Sequence, residues 1–198
     1  MSDLRIPVQK RAMEKKQKIT DAGFALFCEK GYSKTNTTEI ARRAGVSTGV
    51  VYCYFKDKRQ IYIAAFEGYL EHISRQLFER LEIPQPFQVP EFVDNWISLY
   101  LDLYAGTSRT LAQVRMMIME DEEINRHFSE LENQYFHKVV SILQKNHAAP
   151  QDVFEKVYAS CILIDALRQE KVAFSHSGLD FEILKEQVTG AVIRLLSS

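Results

Sequence analysis

The sequence predicts an all-α chain: a three-helix head followed by a larger helical body, about nine helices in all. Three observations carry that expectation. Apolar residues recur at helical spacing from Lys16 onward, and no period-two run or Asn-Gly hairpin signal interrupts them. Asn, Ser and Gly fall at helix-end positions through the first sixty residues. Pro84, Pro86 and Pro90 cluster between two long helical stretches.

The first helix is expected over Lys10–Lys30, with Ile19, Ala22, Gly23, Leu26 and Phe27 on one stripe. Gly31 follows where a left-handed residue ends a helix. A short second helix, Thr37–Ala44, begins behind a capping box formed by Asn36 and Glu39. It buries Ile40, Ala41 and Ala44 and stops at Gly45. Ser47 caps a third helix, Thr48–Phe55, after a tight turn. A long fourth helix runs from Lys58 to about Leu81, with Ile61, Ala65, Phe66, Tyr69, Ile73 and Leu77 inward. Pro84–Pro90 cannot continue it and re-aims the chain. Helical stretches then follow at Glu91–Ala105, Arg109–Met119, Glu122–His147, Asp152–Phe174 and Asp180–Leu196. The last two carry broad apolar faces, Phe154, Val157, Tyr158, Cys161, Ile162 and Ile164 on one, Phe181, Leu184, Val188, Val192 and Leu195 on the other. Such faces suit either closing a core or packing across a two-fold axis, and the second is the expectation.

Composition narrows the class. With 198 residues, 46% of them hydrophobic, the chain can bury a sizeable core. No apolar run approaches the ~18–20 residues of a membrane span. The stretch Met1–Lys18 is polar and basic, unlike a secretory signal. Cys28, Cys53 and Cys161 are widely spaced with no CxxC pair, which suits reduced thiols in the cytoplasm, with redox sensing as the alternative. The net charge of −1 hides an asymmetry: residues 1–60 hold 13 Lys+Arg against 6 Asp+Glu, and residues 61–198 hold 12 against 20. A basic head on an acidic body fits a module that meets a polyanion.

Two short helices joined by a tight glycine-containing turn form the helix-turn-helix pattern. Val46 plugs the angle between them, and Val51 and Phe55 hold the third helix onto Ile40 and Leu26. Thr48, Gly49, Val50, Tyr52 and Cys53 are left facing outward. A glycine inside a helix costs ~1 kcal/mol against alanine. At Gly49 that cost suits a backbone approaching a groove wall.

Gly31-Tyr32 and the whole run Thr35–Lys58, including Thr37-Thr38-Glu39-Ile40-Ala41 and Gly45-Val46-Ser47-Thr48-Gly49-Val50-Val51-Tyr52, resemble the N-terminal DNA-binding domain of TetR-family transcriptional regulators. The resemblance covers about Lys15–Tyr69. It implies a DNA-binding domain over 10–57, with the helix-turn-helix at about 36–55, and a helical ligand-binding and dimerisation domain over 58–198. Carried over, Thr37 and Thr38 would bond phosphate through hydroxyls and backbone N–H groups. Ser47, Thr48, Gly49, Val50 and Cys53 would lie at the major groove. Tyr52 and Tyr54 would reach phosphates at its rim, although Tyr54 also reads as a core aromatic. Lys58 would pair with a phosphate, and Lys16 and Lys18 would add contacts from the first helix. Val50 stands where Thr is frequent in the family, and Cys53 where His or Arg is common. Readout would therefore lean on a thymine methyl and on DNA shape.

The family also implies a small-molecule cavity in the body. Trp96, Tyr100, Tyr104, Met119, Phe128 and Tyr158 offer an aromatic and methionine-rich lining, with Arg115 and Asp165 to orient a polar group. The same stripes also read as plain core. An enzyme finds little support: the five histidines show no HExxH, the Glu123–His127 pair sits at an acidic helix start, and no Gly-rich phosphate loop exists. No cofactor and no metal are expected. The expected function is a cytoplasmic homodimeric regulator of double-stranded DNA, a repressor released from a near-palindromic operator by a small effector. An activator of the same fold is the alternative. A helical protein-interaction module would leave the basic head unexplained.

Overall fold

The computed structural model describes residues 5–105, 108–172 and 176–198, and these are helical with no strand among them. The elements are α1 (Arg5–Lys30), α2 (Thr37–Ala44), α3 (Thr48–Tyr54), α4 (Lys58–Arg80), α5 (Val89–Tyr104), α6 (Ser108–Glu120), α7 (Glu122–Lys145), α8 (Val153–Val172) and α9 (Phe181–Ser197). The first four residues of the basic N-terminal stretch and the expected helix end at Phe174 lie outside the described residues. No described helix is long and apolar enough to cross a membrane.

The order and kind of elements agree with the sequence reading, and the differences are local. α1 begins at Arg5 rather than Lys10. α3 ends at Tyr54, because Phe55 turns to extended backbone while its ring stays in the core, 4% exposed. Pro90 falls inside the first turn of α5, where a missing N–H costs nothing. The capping box of α2 forms only in part: Asn36 accepts from the Glu39 N–H at 2.9 Å, but the Glu39 carboxylate turns instead to the Lys30 ammonium at 2.7 Å. A charged partner outcompetes a neutral backbone amide.

The contacts group the chain into two compact units. One holds residues 1–70 with 109–128, and the other holds 71–108 with 129–198. In the first, Ile19, Leu26 and Phe27 of α1 meet Ile40, Val51 and Phe55 in one core with Ile61, Tyr62 and Phe66 of α4. Phe27 is its hub, with ring centroids 5.1 Å from Tyr62 and 5.7 Å from Tyr32. Gly23 lets α1 and α4 meet, since a Cβ there would stand 2.7 Å from Ile61 Cγ2. The tail of α6 and the head of α7 join this unit through Arg59, which pairs with Asp121 at 2.7 Å and Glu123 at 2.8 Å. His127 faces Glu67 at 3.3 Å, so Glu123 and His127 each answer to α4.

In the second unit, Phe92, Val93, Trp96 and Ile97 of α5 are fully buried, together with Val139 and Leu143 of α7, Val157 of α8 and Val192 of α9. α9 packs on both α8 and α5. Asp180 caps α9 by accepting from the N–H groups of Glu182 and Ile183. The outward side stays apolar: Tyr158 is 48%, Ile162 54% and Ile183 59% exposed.

Candidate nucleic-acid interface

The interface is built from helix ends. Gly45, at φ 68°, closes α2 with its N–H on the Arg42 carbonyl, while Val46 N–H reaches the Ala41 carbonyl. This paired termination fixes the angle at which the chain leaves toward Ser47. Ser47 then accepts from the Val50 N–H and starts α3. Val51, fully buried, pins α3 to the core. Gly49, Tyr52 and Cys53 are exposed, whereas Thr48, Val50 and Tyr54 are half-buried.

At the start of α2, Asn36 satisfies Glu39 and leaves the first-turn amides of Thr37 and Thr38 directed out of the helix. The Thr37 hydroxyl lies 3.2 Å from the Tyr52 hydroxyl. Around them is a hollow of about 300 Å³ lined by Thr35, Asn36, Thr37, Tyr52, Lys56, Asp57 and Lys58. The hydroxyls of Thr37 and Tyr52 and the two lysines share this hollow with one carboxylate, Asp57, and its net positive lining beside the start of α2 suits an oxyanion.

Lys58 has a second task that spacing does not reveal. Its Nζ donates to the carbonyls of Tyr32 at 2.8 Å and Thr35 at 2.9 Å, and lies 4.1 Å from the Tyr32 ring centroid. Burial pushes this ammonium below the usual lysine range. One N–H remains for a ligand. Thr35 itself is buried, its hydroxyl donating to the Gly31 carbonyl at 2.9 Å.

Lys56 and Asp57 also line the hollow, although neither belongs to the expected contact set. Asp57 accepts from the Gln60 N–H at 2.9 Å, and the Gln60 side chain accepts from the Lys56 N–H at 2.8 Å. The Asp57-x-x-Gln60 spacing is a capping signal that could have found them. Lys16 lies 5.7 Å from the Phe55 ring centroid, near the end of α3. Lys18 is exposed but two positions on, which on a helix turns it to another side. Arg43 is engaged with Glu29 at 2.6 Å and Lys30 with Glu39, so these two cations tie α1 to α2.

Gly49 separates fold from function. A Cβ there would meet only Ser47 Oγ, at 3.9 Å, so nothing inside the molecule demands glycine. Gly49→Ala should therefore raise thermal stability by up to ~1 kcal/mol. If the α3 backbone closes on a groove wall, the same change should weaken duplex binding at least severalfold. Melting curves and fluorescence anisotropy on the same samples check both signs.

The residues expected to line an effector cavity divide between the units. Trp96, Tyr100, Tyr104 and Asp165 come together in the second: Tyr104 stacks on Tyr100 at 4.3 Å, and the Tyr100 hydroxyl donates to Asp165 at 3.3 Å. Tyr158 is in that unit but faces outward, edge-on to Phe136 at 5.4 Å. Phe128 is buried in the first unit. Arg115 and Met119 also belong to the first unit, and both are exposed, Met119 at 87%. This corrects their placement in an interior: α6 covers its partners with Val114 and Met117 and turns Arg115 and Met119 outward.

Residues 19–65 match the family model described as bacterial regulatory proteins, tetR family. The chain is 28% identical over 137 residues to the fatty acid metabolism regulator protein of Bacillus subtilis (strain 168), spanning 68% of this chain and 69% of that one. It is 39% identical over 59 residues to the transcriptional regulator AcrR of Shigella flexneri, a match spanning 30% of this chain and only 27% of the relative. Among solved structures it resembles the fatty acid degradation regulator FadR of Bacillus halodurans, with a TM-score of 0.68 at 18% identity, covering 90% of this chain and 94% of that one. At that identity the likeness is one of fold.

Proposed function

We propose that the chain is a DNA-binding transcriptional regulator of the TetR type, as the match of residues 19–65 and the 137-residue likeness to the Bacillus subtilis regulator support, and that it acts as a cytoplasmic homodimeric repressor, released from a near-palindromic operator by a small effector. The observation that carries this reading is the hollow between α2, α3 and α4. There Thr37, Tyr52 and Lys58 converge beside the exposed end of α3. A phosphate seated in it would fix the register of α3 on a duplex, and Thr48, Gly49, Val50 and Cys53 would supply whatever base contact is made.

Two further features support the finer parts. The outward apolar residues of α8 and α9 offer a face for a second copy, and one seven-residue reading helix needs such a copy to discriminate a site. Arg59, next to Lys58, is clasped by Asp121 and Glu123 at the α6–α7 corner. A shift of that corner would be felt at the phosphate hollow, which gives an effector a route to the DNA contacts. The 137-residue match with the Bacillus subtilis regulator extends well beyond the head, which favours an effector domain of a similar kind.

The test is anisotropy with duplexes selected from random sequence, at physiological salt. A selected duplex should be near-palindromic, with half-sites about one helical turn apart, and held at least a thousandfold more tightly than random DNA. Thr48→Ala should change which sequences are preferred, whereas Tyr52→Phe should weaken all of them alike. If no duplex is preferred to random DNA, the regulator reading fails.

A further inference from the structure

The second unit contains a charged cluster that DNA binding does not use. Arg168 on α8 is 3% exposed, and its Nε donates to Asp165 Oδ1 at 2.8 Å. Gln169 Nε2 donates to Asp165 Oδ2 at 2.9 Å, and the Tyr100 hydroxyl reaches Oδ1 at 3.3 Å. One carboxylate thus takes three side-chain donors. Beside them, Trp96 donates to the Tyr135 hydroxyl at 2.8 Å, and Tyr104 lies flat on Tyr100. Burial pushes the Tyr100 hydroxyl above the usual tyrosine range, so it stays protonated and a donor.

Stability does not account for this arrangement. A buried ion pair replaced by apolar residues of similar shape is commonly as stable or more so. The depth of the groups is informative. Arg168 lies inside, while its acceptor is nearer the rim with Tyr100 and Gln169: the Asp165 side chain is 16% exposed against 3% for Arg168. An anion receptor filled by the protein's own carboxylate has this geometry. Asp165 can swing outward, and the guanidinium cannot follow it without leaving its pocket.

We propose that Arg168, Tyr100 and Gln169 form a receptor for the carboxylate of an organic acid with an apolar body, and that Asp165 occupies the receptor until such a ligand displaces it. The rings of Trp96, Tyr104 and Tyr135 set the preference for an apolar body. A cation is disfavoured, because it would meet Arg168 while Asp165 is already engaged by three donors. This deepens the effector reading above and rests on it.

Trp96 is the chain's only tryptophan, so its emission reports the site with no DNA present. The full chain is titrated with octanoate, octyltrimethylammonium and 1-octanol, which share a tail and differ in the head. Octanoate should change Trp96 emission saturably and bind at least tenfold more tightly than the other two. Arg168→Met should abolish that advantage. Asp165→Asn, which keeps the shape and removes the competing charge, should tighten octanoate severalfold. That gain is one a purely structural ion pair would not produce, and it holds the test if Arg168→Met fails to fold. Octanoate binding no better than octanol, octyltrimethylammonium binding best, or Asp165→Asn weakening octanoate would each overturn the proposal. Octanoate bound through Arg168 without effect on operator retention would support the receptor and overturn its part in release.

Discussion

Introducing glutamate at both Ile162 and Ile183 should convert the protein to a monomer and lower operator affinity by a hundredfold or more. The two side chains are 54% and 59% exposed on α8 and α9, with Tyr158 at 48% one turn before Ile162. A single chain gains nothing from that exposure, and burying each isoleucine against a partner would contribute about 1.5–3 kcal/mol. Glutamates there would place four like charges across a two-fold axis. Because neither position is covered in the single chain, each substitution should change its own folding stability by only ~0.5 kcal/mol. Circular dichroism should keep its helical amplitude while light scattering gives half the mass. Loss of affinity would follow from geometry, since a monomer contacts one half-site and gives up the effective concentration that couples the second. A double variant that stays dimeric would move the two-fold interface elsewhere.

The head was legible in the sequence because its signals are local. Asn36, Gly45 and Ser47 mark helix ends through bonds to residues within a turn, and those bonds form where the spacing places them. Tyr62 is fully buried although helical spacing does not mark it, because two of the rings that cover it, Phe27 and Tyr32, lie outside its own helix; only Phe66 is one turn away. Lys58 was legible as a cation at the start of α4 but not as a clamp. The two carbonyls it holds lie 23 and 26 residues earlier. The effector lining was least legible. Helical periodicity gives the faces of α6 but not which of them is covered, and α6 belongs with the head, so Arg115 and Met119 left the set. Arg168 is not legible in the sequence, because an arginine within a helix usually reads as surface; only its burial beside Asp165 draws it in.

Lys58→Met should lower both fold stability and DNA affinity, and the two losses can be measured apart. A lysine at the first position of a helix sits against the positive end of the dipole. Here the carbonyls of Tyr32 and Thr35 and the face of the Tyr32 ring offset that penalty. Hydrogen bonds from a charged donor contribute ~1.5–3 kcal/mol in favourable settings. Lys58 is partly solvated, so a total loss of about 1–3 kcal/mol in denaturant unfolding is expected. Lys58 lines the same hollow as Thr37 and Tyr52. Removing that charge should weaken operator and random duplex together, by roughly tenfold, and reduce the slope of log K against log salt by ~0.9. Tyr52→Phe gives the contrast. Among the described residues its hydroxyl meets only Thr37, on an exposed surface, so stability should hold within ~0.5 kcal/mol while affinity falls severalfold. If Lys58→Met loses stability but keeps both the affinity and the salt slope, the lysine is a clamp on the Tyr32–Thr35 turn alone. Phosphate contact would then rest on Thr37, Thr38 and Tyr52. A fall in the slope with stability preserved would assign Lys58 to the phosphate and leave its two carbonyl bonds without energetic weight.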